Sequence, residues 1–196
     1  GRILGENITI SNVKSNNAVQ MGTIRSYGGF LAGRVIGSGS LPITIYNGAG
    51  YNLDTNITIT GTRNLGGYIG SINGANVIVR DITRSGGTLN MTSGSSNIGG
   101  LFGEVVGAKI RNCSITGGTV TVGKINNLTV VGGVIAYVAA GAVIENVSMK
   151  TSATVLGDPS ANIGVVIGQS DDATVTIDNC TFTGTQTVRG KNIGGI

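Results

Sequence analysis

Residues 97–118 read NIGGLFGEVVGAKIRNCSITGG. The run holds a Gly-Gly-x-x-Gly anchor, a short strand of alternating β-branched residues, and an Asn where the strand should turn. The same order returns along the whole chain. Anchors are Gly28-Gly29-Phe30-Leu31-Ala32, Gly66-Gly67-Tyr68-Ile69-Gly70, Gly99-Gly100-Leu101-Phe102-Gly103, Gly132-Gly133-Val134-Ile135-Ala136 and Gly164-Val165-Val166-Ile167-Gly168. Gly1-Arg2-Ile3-Leu4-Gly5 fits the template, and Gly194-Gly195-Ile196 opens another copy. Units starting at 1, 28, 66, 99, 132, 164 and 194 differ by 27, 38, 33, 33, 32 and 30 residues. A fixed period of this size marks a repeat architecture.

Two more elements complete each unit. One is a strand ending in Asn or Asp, as in Val77-Ile78-Val79-Arg80-Asp81 and Val143-Ile144-Glu145-Asn146. Asn and Asp suit the bend because they tolerate a left-handed backbone. The other is a strand such as Thr88-Leu89-Asn90-Met91-Thr92 or Thr119-Val120-Thr121-Val122, apolar at every second position. With no helical periodicity, the pattern predicts an all-β fold. It is a parallel β-helix (β-solenoid) of about six coils of roughly 33 residues, with three short strands per coil. One coil cannot bury its own apolar face, so residues 1–196 are expected to form one repeat domain stabilised by stacking.

Composition agrees. Thirty-five glycines suggest disorder, but a 40% hydrophobic content arranged in strict alternation argues against it. No apolar run approaches the roughly 20 residues that span a membrane, so no membrane insertion is expected. No signal peptide or initiator Met is visible, and we read the chain as a mature or excised piece of a longer product. The net charge of +4 is spread over scattered Lys and Arg, without the basic stripe that nucleic-acid binding wants. Cys113 and Cys180 hold the same repeat position two coils apart, about 9.6 Å by strand spacing. That is too far for a disulfide, so both are expected as inward thiols with Val147 stacked between them.

The anchor followed by Asn112-Cys113-Ser114-Ile115-Thr116-Gly117-Gly118 resembles the GLUG repeat, most closely over 99–118 and 132–150. The resemblance covers nearly the whole chain. It implies a parallel β-helix in a microbial extracellular or cell-surface protein of adhesin-like type, and it carries no catalytic residues. Ala32 and Ala136 stand where the last anchor glycine is expected, and Val165 replaces one Gly.

Chemistry is sparse. The chain has no His, which removes Ser-His and Cys-His nucleophile pairs. The acids are Glu6, Asp54, Asp81, Glu104, Glu145, Asp158, Asp171, Asp172 and Asp178; Asp171-Asp172 reads as a polar turn, and no two form the facing pair a glycosidase needs. No catalytic residue, metal ligand or cofactor site is expected, and the chain is read as a non-enzyme. The second coil is long. Tyr46 and Tyr51 there offer sugar-stacking rings, against an ordinary turn insertion. The outward positions of the third strands form a hydroxyl array: Thr58, Thr60, Thr88, Thr92, Thr119, Thr121, Thr154, Thr185 and Thr187, with Asn90 and Ser152. Strand geometry spaces them about 4.8 Å between coils and about 6.6 Å along a strand. Such a face resembles those of ice-binding solenoids, although Thr is also a favoured exposed strand residue. Sequons begin at Asn7, Asn56, Asn90, Asn112, Asn127, Asn146 and Asn179. Asn7, Asn56, Asn90 and Asn127 are the possible glycosylation sites, since the other three have a turn role.

Neither end resembles a cap. Exposed strand edges template further pairing. The ends Gly1, Arg2, Ile3, Leu4, Gly5 and Gly194, Gly195, Ile196 are therefore either joints of a longer array or head-to-tail assembly surfaces. The sequence reads best as an extracellular structural or adhesive repeat: a rigid spacer, sheath or self-assembling fibre. Its expected partners are itself by end-to-end or lateral stacking, or a host, cell-surface or glycan ligand. An ice-binding module is the alternative, and a carbohydrate-binding or carbohydrate-active β-helix comes third.

Overall fold

The computed structural model describes residues 1–93, 96–124, 130–157 and 159–196. Its strands stack as a β-solenoid of about six turns, in which every pairing between named strands is parallel. Three six-stranded sheets run its length. The anchor sheet holds Arg2–Gly5, Ala32–Gly37, Ile69–Asn73, Phe102–Val106, Ile135–Ala139 and Ile167–Ser170. The second holds Ile8–Ser11, Ile43–Tyr46, Val77–Arg80, Lys109–Arg111, Val143–Glu145 and Thr176–Asp178. The third holds Val19–Ile24, Ile57–Gly61, Thr88–Ser93, Thr119–Lys124, Ala153–Leu156 and Gln186–Arg189. These are the three strands per coil that the alternation predicts. Two further ladders of two- and three-residue strands fill the corners. One stacks Thr83–Arg84, Ser114–Ile115, Ser148–Met149 and Thr181–Phe182; the other runs from Leu65–Gly66 to Asn192–Gly194.

Register puts like on like. Ile110 pairs with Ile144, which pairs with Ile177; Val122 pairs with Val155, which pairs with Val188. The inward apolar side chains of the central coils form one continuous hydrophobic core. Each fully buried Val, Ile or Leu contributes about 1.5–3 kcal/mol relative to an exposed one.

The anchors have a steric cause. A Cβ on Gly66, Gly99, Gly132 or Gly164 would lie 1.7–1.9 Å from the carbonyl oxygen three residues on. A Cβ on the next residue, at Gly67 or Gly100, would lie 2.0–2.1 Å from the adjacent coil's backbone oxygen. The corner is too tight for a side chain, and the coils approach too closely for one at the following position.

The strand register corrects two alignments. Ala32 pairs with Ile69 and Gly28 bridges Leu65, so the first full anchor is Gly29-Phe30-Leu31-Ala32-Gly33. Gly29 is the corner glycine, its Cβ position 2.5 Å from the Ala32 oxygen, and Gly33, not Ala32, is the last small residue. Likewise Arg2 pairs with Arg34 and Gly5 with Gly37, so Gly1 to Gly5 begin at the last anchor position, not the first. The Gly-Gly doublet at 28–29 drew the alignment one residue out of frame. A one-residue slip would turn every side chain to the opposite face, so the buried Val35 and Ile72, which pair, decide the register.

Candidate functional site

The hydroxyl face is built by the third sheet. Leu89, Met91, Val120, Val122, Ala153 and Val155 are buried, which turns the alternate residues outward. One outward column runs Gln20, Thr58, Asn90, Thr121, Thr154, Thr187. The neighbouring column holds Thr88 opposite Thr119 and, one residue before the Val120–Ala153 and Ala153–Gln186 pairs, Ser152 and Thr185. A third is shorter: Thr60 pairs with Thr92, their hydroxyl oxygens 3.3 Å apart, and Gly123, Leu156 and Arg189 follow. The predicted threonines therefore share one surface, in three columns, with Asn90 interrupting the first and Gln20 ending it. A shallow groove of about 320 Å³ opens where Thr119, Ser152, Thr154, Thr185 and Thr187 converge.

The turn residues form a ladder of their own. Asp81, Asn112, Asn146 and Asn179 all have left-handed backbone, φ 48–59°. The Asn112 side-chain amide donates to the Asp81 carboxylate (3.1 Å), that of Asn146 to the Asn112 Oδ1 (3.0 Å) and that of Asn179 to the Asn146 Oδ1 (2.6 Å). Each amide of these three sequons is thus committed to its neighbour, yet the residues are exposed rather than buried. Asn7, Asn56 and Asn90 are exposed. The Asn56 side-chain oxygen accepts from the Thr88 N–H at 2.8 Å, and Asn127 lies outside the described residues.

The long second coil is pinned by Asn47, the residue that follows its second strand in the Asn/Asp turn column. Asn47 is buried; its oxygen accepts from the Val13 N–H (2.9 Å), and its amide donates to the Val13 and Tyr51 carbonyls (3.0 and 2.8 Å). Its sequence signal was its place in the Asn/Asp turn column, opposite Asn12. Tyr46 and Tyr51 do not form an empty stacking platform. The Arg80 guanidinium lies 4.4 Å from the Tyr46 ring centre, and the Lys14 ammonium 6.0 Å from that of Tyr51.

Among the described residues, six of the chain's nine acids make hydrogen bonds or ion pairs within the fold. Arg80 pairs with Asp81, and Arg111 with Glu145 at 2.7 Å. Glu104 accepts from the Ser71 hydroxyl (2.6 Å), and Glu6 from the Leu41 N–H (2.9 Å). Asp172 caps its turn, accepting from Thr174 and from the Ala140 N–H, which lowers its pKa. Asp158 lies outside the described residues. Among the described residues no three of Cys, Asp or Glu gather as a metal site would require.

Cys113 and Cys180 are unbridged. The neighbouring pairs Ser114–Ser148 and Ser148–Thr181 place Val147 between them, as the spacing predicts. Burial pushes the Cys113 thiol up to about 12. Tyr68 is wholly buried with its hydroxyl unpartnered, and burial raises its pKa as well.

Sequence patterning did not reveal one charge inside the core. Arg84 pairs with Ile115 in an otherwise apolar column continuing to Met149 and Phe182, and is 1% exposed. Its Nη2 donates to the Thr55 carbonyl at 2.9 Å, while Nε and Nη1 have no partner. Desolvation lowers its pKa to about 10, opposed by the Asp54 charge.

No family model, no curated protein and no solved structure matches this chain.

Proposed function

We propose that this chain is an extracellular structural or adhesive repeat protein, a rigid β-solenoid serving as a surface spacer, sheath or self-assembling fibre. The observation that carries the reading is the continuous parallel pairing of about six coils into one solenoid. Inward side chains of the last coil, Ile177, Phe182 and Ile193, are exposed, whereas their partners Ile144, Met149 and Ile163 are buried. Another coil, from the same chain or from a second copy, would bury them and gain about 25 cal/mol per Å² of apolar surface. The extracellular setting rests on the likeness of 99–118 and 132–150 to GLUG repeats. The GLUG likeness likewise suggests a host-surface or glycan ligand as the alternative partner.

Electron microscopy of the native protein at low concentration tests the fibre. Rods several times longer than the roughly 30 Å that six coils span are the expected result. Monodisperse single particles, unchanged on raising the concentration, would remove self-assembly and leave the spacer.

Ice binding is the second reading, supported by the registered hydroxyl columns Thr121–Thr154–Thr187 and Thr119–Ser152–Thr185. Thermal hysteresis and ice shaping at high protein concentration check it; their absence disposes of it.

A further inference from the structure

The geometry points to an oxyanion-binding cleft at the corner between the third sheet and the anchor sheet. Arg2, Arg25 and Arg34 line one cavity of about 370 Å³, together with Ser26 and Tyr27. Arg2 and Arg34 sit directly opposite each other on adjacent strands. Like charges so placed repel, and among the described residues neither forms an ion pair with a carboxylate. The ion pairs among the described residues are Arg80–Asp81 and Arg111–Glu145. The acid in the same column, Glu104, stands opposite Ser71, which in turn stands opposite Arg34. That is two strand spacings from Arg34, roughly 9.6 Å, and Glu104 accepts from the Ser71 hydroxyl.

The Arg34 guanidinium is held in place. It lies 4.9 Å from the Tyr27 ring centre, and its Nε is buried without a partner. Corner and strand residues meet the same way in another coil. Asn162, in the Tyr27 column, donates to Gln169, in the Arg34 column, at 2.8 Å. There the polar pair satisfies itself; at Tyr27 and Arg34 the ring restrains the cation and supplies no acceptor. A guanidinium fixed against an aromatic face, with two more around the same space, suits sulfate, phosphate or carboxylate oxygens through paired N–H donors. With Arg34 covering the Tyr27 ring, recognition would fall to charge and hydrogen bonding, not to stacking. The inference stands independently of the proposed extracellular role.

The test is calorimetric titration of the full 196-residue chain at low ionic strength, with sodium sulfate and separately with glucose 6-sulfate. Saturable binding is expected, weakened at least about tenfold by Arg34→Gln and by Arg25→Gln, since charge-assisted hydrogen bonds of this kind are lost. Arg25 is exposed, so its variant keeps the test valid if Arg34→Gln fails to fold. Arg189→Gln removes the same charge from the last strand of the third sheet and should leave binding unchanged. Equal affinity for the two ligands assigns the cleft to a free anion; tighter binding of the sugar sulfate assigns it to an anionic glycan group. Absence of saturable binding by either ligand, or equal weakening by Arg189→Gln, overturns the inference.

Discussion

The fifth and the last coil carry nearly the same inward chemistry and live in different environments. Ile144 is 0% exposed and Ile177, its partner, 39%; Met149 is 0% and Phe182 44%; Ile163 is 2% and Ile193 55%. The strands are equally parallel and the residues equally apolar. What differs is a covering coil. Burial in this molecule is therefore a property of the interface between coils, which is how repeat proteins distribute their stability.

The corner glycines give this comparison its sharpest form. A Cβ at Gly132 would lie 1.7 Å from the Ile135 oxygen, whereas at Gly194, where the equivalent oxygen would belong to a residue beyond Ile196, the nearest atom is the Ile196 oxygen at 3.5 Å. Gly132→Ala should leave the chain unfolded or destabilised by more than about 4 kcal/mol, the range reserved for severe strain. Gly194→Ala should change stability by less than about 0.5 kcal/mol. Urea denaturation followed by circular dichroism reads both. Equal losses would mean that the last coil is as tightly closed as the others.

Core truncation comes next. Met149→Ala should cost about 2–5 kcal/mol, and Phe182→Ala, at the equivalent position, less than about 1 kcal/mol. The comparison can also break in an instructive way. If Phe182→Ala costs as much as Met149→Ala in the native protein but not in a dilute monomer, another coil covers the last one.

Most of the fold was legible because its cause is local and repeated. Alternation at Val120-Thr121-Val122 sets the faces, Asn112 and Asn146 set the turns, and the anchor glycines set the corners. Register was legible wherever the repeat was clean, and slipped at Gly28-Gly29, where an extra glycine precedes the true corner. The hydroxyl face followed from the same alternation. What stayed hidden depends on contacts between distant residues. Asn47 closes the inserted loop onto Val13, and Tyr27 holds Arg34 across a corner. Arg84 has the spacing of an inward residue and the chemistry of an outward one; only the pairing with Ile115 shows which wins.

Arg84 supplies a smaller, opposite effect. A buried charge without a carboxylate partner is a net cost that a well-packed apolar residue of similar volume removes. Arg84→Met should be neutral or stabilising by about 1–4 kcal/mol, whereas the exposed Arg189→Met should do nothing measurable. A clear loss of stability at Arg84→Met would show that the hydrogen bond to Thr55 outweighs desolvation.

The two cysteines probe the covering coil without altering packing. Cys113 is wholly buried, and its thiol is pushed up to about 12, first by desolvation; Cys180, in the last coil, is half-buried and also raised by desolvation, its Sγ 3.5 Å from the Asp178 oxygen. Because the thiolate is the reactive form, a disulfide reagent at pH 8 should modify Cys180 in the folded chain and reach Cys113 only on unfolding. The pH dependence follows from the same burial. The folded state holds the Cys113 proton more tightly than the unfolded chain, so this contribution is complete below about pH 9 and is lost as pH rises toward 12. Cys113→Ala should flatten that alkaline loss, while Cys180→Ala should change it less. Equal reactivity of the two thiols in the folded protein would show that the central coils open as readily as the last, and the contrast between covered and uncovered coils would fail.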